Sequence, residues 1–108
     1  MSDAILVFMT AGSADEARRI ADHLVEKRLA ACVQVLPEIE SVYRWKGEVQ
    51  REKEVLILVK TTADKFAELD QAVRAMHSYE IPAIAAVPVS DISEPYQKWL
   101  IGNVSAGA

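Results

Sequence analysis

One cysteine, Cys32, stands in 108 residues, so no disulfide can close within the chain. That usage fits a reducing cytoplasm. No apolar stretch approaches the roughly eighteen residues that a membrane-spanning helix needs. The first apolar run, Ala4 to Met9, follows Asp3 with no basic region before it, which is not the pattern of a signal peptide. Positive charge is in deficit: 12 Lys and Arg against 16 Asp and Glu leave a net charge of −4. A nucleic-acid partner, which calls for a basic surface, is therefore not expected. Also absent are a Walker loop, a G-x-G-x-x-G turn, a nucleophile elbow and the aromatic-basic signature of an RNA-recognition strand. No nucleophile is paired with a base, so enzymatic activity is not expected. One cysteine and two histidines, His23 and His77, are too few for a closed four-ligand zinc site.

What the chain does have is patterned apolar residues, at 51% of the total. No linker, low-complexity tract or repeat interrupts them, and residues 1–108 read as a single domain. Ala4 to Thr10 reads as a strand. Ser13 and Glu16 then form the sequence pattern of a capping box, and Ala17, Ile20, Ala21, Leu24 and Val25 recur at helical spacing. Lys27 and Arg28 fall in the last turn of that helix, where they complement its dipole. Two extended segments follow, joined at Lys46-Gly47, with a bend or bulge expected at Pro37. A second helix is expected from Ala63 to Met76, burying Phe66, Leu69, Val73 and Met76. Ala83 to Val89 reads as a fourth strand. Ser93 and Pro95 open a short last helix carrying Tyr96, Trp99 and Leu100. The order βαββαβ is the ferredoxin-like α+β arrangement, one antiparallel sheet with two helices on one face.

Two features predict self-association. The runs "AILVFM", "VLILV" and "AIAAV" lack the alternation of a sheet with one wet face. The helices cover one side only, so another surface must cover the second. The hairpin is also long: Leu29 to Trp45 spans about 55 Å when extended, against about 24 Å for a helix from Ser13 to Arg28. The segment from Glu38 to Lys53 must bend or project as an arm.

Among polar residues, Cys32 alternates away from Leu29, Ala31, Val33 and Val35, toward the uncovered face. A free cysteine there is either a small buried hydrophobe or a soft thiolate ligand for copper or a related metal. His77 closes the second helix, a position the dipole favours, and imidazole is also a common copper and zinc ligand. Thr61 and Thr62 are placed to cap the second helix. Glu48, Glu52 and Glu54, interleaved with Arg51 and Lys53, read as a mixed charged surface.

The stretch "KRLAACVQVLPEIESVYRWKGEVQREKEVLILVKTT", with Tyr96 and Trp99 beyond it, closely resembles the core signature of the CutA divalent-cation tolerance family, and the resemblance runs over nearly the whole chain. It implies a tight homotrimer of ferredoxin-like subunits, similar in architecture to PII signalling proteins. It also implies binding of copper or another divalent ion, with Cys32 and His77 as metal ligands, and no enzymatic activity. Where the family reads His-Pro-Tyr-x-x-Pro-Glu, this chain reads His77-Ser78-Tyr79-Glu80-Ile81-Pro82-Ala83. Loss of the proline at position 78 is expected to loosen the loop. Loss of the glutamate at 83 removes a carboxylate that could bind metal or orient the histidine. The expected function is that of a cytoplasmic, metal-responsive trimer. The other reading is a PII-like signalling or scaffold trimer holding a small anion or a partner protein in its intersubunit clefts, with Tyr43, Trp45, Lys60, Tyr79 and Trp99 as contacts.

Overall fold

Alternating burial along the strands decides which way the sheet faces. The computed structural model describes residues 3–104, with strands β1 (Ala4–Ala11), β2 (Cys32–Trp45), β3 (Glu48–Thr62) and β4 (Ile84–Pro88) in one antiparallel sheet ordered β2-β3-β1-β4. This is the strand order of the ferredoxin-like arrangement. Helices α1 (Ala14–Glu26) and α2 (Phe66–Met76) cover one face, and α3 (Glu94–Asn103) follows β4. The inner rows Val7, Met9 and Ala11 of β1 and Val55, Ile57 and Val59 of β3 meet Ile20 and Leu24 of α1 and Leu69 and Val73 of α2 in one buried cluster. Each large side chain fully buried there contributes about 1.5–3 kcal/mol.

The helix boundaries differ from expectation in ways the local chemistry explains. Ser13 caps α1 by accepting the Glu16 N–H at 3.2 Å, but the helix ends at Glu26. Arg28 adopts φ 58°, with its N–H on Val25 O and the Leu29 N–H on Leu24 O. That pair of bonds is a Schellman stop, and it tucks Leu29 beside Leu24 in the core. The second helix opens with a 3₁₀ turn, Ala63–Lys65, before α2 proper. Neither threonine caps its backbone: Thr61 is buried and donates to Leu29 O at 2.7 Å, while Thr62 donates to Asp64.

The long hairpin is present as an arm, and the molecule measures 44 × 26 × 22 Å. The pairing register shifts between Leu36 and Ile39, flanking Pro37, which has no N–H to give the ladder. At the tip, Lys46 (φ 53°) and Gly47 (φ 83°) form a two-residue turn with both residues left-handed, as a tight hairpin requires. A Cβ at Gly47 would touch nothing within 4 Å, so only backbone conformation is at stake there. Gly47→Val is expected to destabilise the arm by about 1–2 kcal/mol. Thermal unfolding of the variant beside the parent chain measures this, and an unchanged transition would contradict it.

Among the described residues no helix covers the centre of the opposite face of the sheet. Leu6, Phe8, Leu36, Leu56, Leu58 and Val87 stand on it as cross-strand neighbours, and Phe8, Leu36 and Val87 are each about two-fifths exposed. Among the described residues no helix is long and apolar enough to cross a membrane.

Candidate functional site

α2 stops at His77, whose backbone N–H still bonds Val73 O while its ψ of 142° turns the chain outward. The imidazole is fully buried. Its Nε2 lies 2.7 Å from Thr10 O, and its Nδ1 accepts the Tyr79 N–H at 3.0 Å. A carbonyl on one side and a donor on the other place the single proton on Nε2. Both ring nitrogens are thus engaged.

Glu16 organises the next residue. Its carboxylate is buried and accepts the Ser78 N–H at 2.6 Å and the Ser78 hydroxyl at 3.0 Å, with His77 Nδ1 at 3.5 Å. Burial works to raise the Glu16 carboxyl. The two Ser78 bonds, the His77 ring and the Gly12 N–H together outweigh it and hold the group below its usual value of 4.5. The capping-box pattern is therefore only half realised: Ser13 caps the helix, and the Glu16 side chain reaches across to the loop after α2. The position where the family has a proline is tied down by different contacts. Ser78 supplies an N–H that a proline lacks, and the serine is tied to Glu16 through both backbone and side chain.

Tyr79 turns its ring against His77, at 4.7 Å between centroids, and donates its hydroxyl to Glu54 at 2.7 Å. A Cβ at position 12 would come within 3.3 Å of that hydroxyl, so Gly12 leaves it room. Burial and the Glu54 carboxylate push the Tyr79 phenol well above its ordinary range, so it stays a donor. One strand pair away, Tyr43 donates to Glu52, which raises its phenol as well. These groups form the wall of a cleft of about 670 Å³ between the arm and the loop at 79–83. Tyr43, Trp45, Tyr79 and Ile81 give it an aromatic and apolar lining; Glu52, Glu54 and Glu80 give it its charge. Ala83, where the resemblance leads one to expect a glutamate, also lines it.

Of the residues singled out from the sequence, Tyr43, Trp45 and Tyr79 come together in this cleft. Lys60 and Trp99 do not: the Lys60 ammonium sits 5.7 Å over the Tyr96 ring, and Tyr96 stacks on Trp99. Cys32 opens the edge strand β2 opposite Lys60, half-buried. Lys60 faces Leu6, whereas His77 meets Thr10, four residues further along β1, or about 13 Å. Within one chain Cys32 and His77 are therefore apart, and among the described residues no three His, Cys, Asp or Glu side chains converge to hold a metal ion. Glu16, Ser78, Glu52 and Glu54 were not singled out as site residues. For the two β3 glutamates a signal existed: period-two spacing puts them on one side of the strand, with Arg51 and Lys53 on the other.

The chain matches the model of the CutA1 divalent ion tolerance protein family over residues 5–103. It is 46% identical over 98 residues to a divalent-cation tolerance protein CutA of Thermus thermophilus, covering 91% of this chain and 95% of that one. It is 37% identical over 97 residues to a chloroplastic CutA of Arabidopsis thaliana, covering 90% of this chain and 53% of that longer protein. The solved structure of the Thermus thermophilus divalent cation tolerance protein superposes with a TM-score of 0.92 at 44% identity, over 94% of this chain and 99% of that one. Sequence and fold agree, and the chain belongs to the CutA1 divalent ion tolerance family.

Proposed function

We propose that the protein works as a metal-responsive homotrimer in the cytoplasm, binding copper or another divalent ion through Cys32 and His77. The observation that carries this reading is the uncovered apolar sheet face, with Cys32 at its edge and partly open to solvent. Such a face is favourably buried against copies of itself. Because one chain does not bring its soft and borderline donors together, the ligand set is completed by a neighbouring subunit. Cys32 would supply a thiolate suited to copper. His77 would have to give up either Thr10 O or the Tyr79 N–H. That exchange costs about 1–3 kcal/mol, small beside the 10 kcal/mol or more that protein metal sites gain. No other reading of this site has support of that kind. Among the described residues, those lining the wall around Tyr43, Trp45 and Tyr79 include three carboxylates and no basic side chain, with the Lys46 ammonium 5.7 Å over the Trp45 ring beside it, a balance that disfavours a small anion there.

Calorimetric titration of reduced, metal-free protein with copper under anaerobic conditions tests the proposal. Tight, saturable binding is expected, and Cys32→Ser or His77→Asn should weaken it by at least about 100-fold, since even residues that only support a ligand are worth about 10–100-fold. Binding that survives both substitutions unchanged would remove Cys32 and His77 from the site.

A further inference from the structure

Of the two proposed metal ligands, Cys32 is partly open to solvent, while the His77 imidazole is fully buried with both ring nitrogens engaged. The cover over that ring is thin. Residues 78–82 belong to no helix or strand, and among the described residues no backbone-to-backbone hydrogen bond anchors them. What holds them is side-chain contact. The Glu16 carboxylate accepts the Ser78 N–H at 2.6 Å and the Ser78 hydroxyl at 3.0 Å, and Tyr79 reaches Glu54. The donor that occupies His77 Nδ1 is the Tyr79 N–H, the very next one along the chain. The segment that Glu16 holds is thus the segment that closes the ring nitrogen off.

We propose that the Glu16–Ser78 clasp is a latch over His77. Closed, it keeps the imidazole away from a metal ion; open, it lets the 77–79 backbone swing out and frees Nδ1. The inference rests on the reading of His77 as a metal ligand. Bonds to a carboxylate are the strong kind, so the clasp dominates the hold on this segment. The Tyr79 phenol, held by Glu54, tethers the far end and keeps the opening local. Glu16 belongs to α1, on the helix-covered side of the sheet, so the clasp lies away from the face that association would bury. A proline at position 78 has neither the N–H nor the hydroxyl, so the latch comes from the serine of this chain. Apparent metal affinity is reduced by the fraction of chains that are open. Loosening the clasp therefore unmasks His77 and tightens metal binding in the same proportion.

Modification of reduced, metal-free protein by diethyl pyrocarbonate, followed by peptide mass mapping, tests the latch without any metal. The partly exposed His23 of α1 is the internal reference. His77 should react at least about tenfold more slowly than His23, because reaction waits for local opening. Ser78 is exposed, so Ser78→Ala removes the hydroxyl bond without disturbing the core. It should speed His77 modification by about fivefold, the factor carried by one hydrogen bond. Ser78→Thr, which restores the hydroxyl, should react like the parent. The rate should be nearly independent of urea below the unfolding transition, since a local opening exposes little surface. Copper should bind Ser78→Ala more tightly by the same factor of about five. The latch is overturned if His77 reacts as fast as His23 in the parent, if Ser78→Ala leaves the rate unchanged, if Ser78→Thr fails to restore it, or if the rate climbs steeply with urea. Weaker copper binding by Ser78→Ala also overturns it, for the clasp would then support the bound ring. Faster modification with copper affinity unchanged, or with no copper binding in either chain, upholds the latch and removes His77 from the metal site.

Discussion

Glu16→Ala is expected to lower the stability of the folded chain by about 1–3 kcal/mol, the range for losing hydrogen bonds to a charged group in a partly buried setting. Three donors lose their acceptor at once: the Ser78 N–H, the Ser78 hydroxyl and the Gly12 N–H. Denaturant unfolding at fixed protomer concentration measures the loss, because any association contributes to the apparent stability. Glu16→Gln separates shape from charge. The folded-state carboxyl lies below its ordinary value, so its contribution is complete above about pH 4.5 and is lost as pH falls through the lower folded value. The gap between parent and Glu16→Gln should hold steady from neutrality to about pH 4.5 and close below it. A gap that widens with acid would mean that the carboxylate is not held by these donors.

Phe8→Glu is expected to convert a proposed trimer into monomers at micromolar concentration. Phe8 lies on the central strand, opposite Leu58 on one side and Ala85 on the other, in the middle of the uncovered face. A carboxylate forced into an apolar interface costs several kcal/mol, and each protomer brings one. The inner face is built from other residues, Val7 and Met9 on the same strand, so the isolated fold should persist. Light scattering gives the mass, and circular dichroism reports whether the monomer stays folded. A parent chain that is monomeric, or a Phe8→Glu chain that keeps the parent's mass, would refute burial of this face in an assembly.

Local features were legible from sequence because their causes are local. Apolar spacing in α1 and α2, the Lys46-Gly47 turn and the disturbance at Pro37 all follow from residues within a few positions of one another. The strand order followed from the order of elements. The site was legible only in part. Glu16 sits three residues after Ser13, so local pattern assigned its side chain to the helix start; its actual partner, Ser78, is 62 residues away. Ser78 itself read as the loss of a stiff proline, and nothing near it hinted at a buried carboxylate waiting for its N–H. Glu54 looked like one of several surface charges until the sheet brought it beneath Tyr79, 25 residues on. Pairings across the fold need the topology before they can be seen.

The central position of β1 has a consequence for biosynthesis. The first strand made is the one that must be flanked on both sides, by β3 from Val55 onward and by β4 from Ile84. At a synthesis rate of about 5–20 residues per second, the interval from Ala11 to Val55 lasts about 2–9 s. Throughout it, the apolar "AILVFM" segment has no strand partner. The β2–β3 hairpin, joined by two residues at its tip, can zip within microseconds of leaving the ribosome and present the β3 edge to the waiting β1. Order of synthesis thus makes the arm a scaffold for the centre of the sheet.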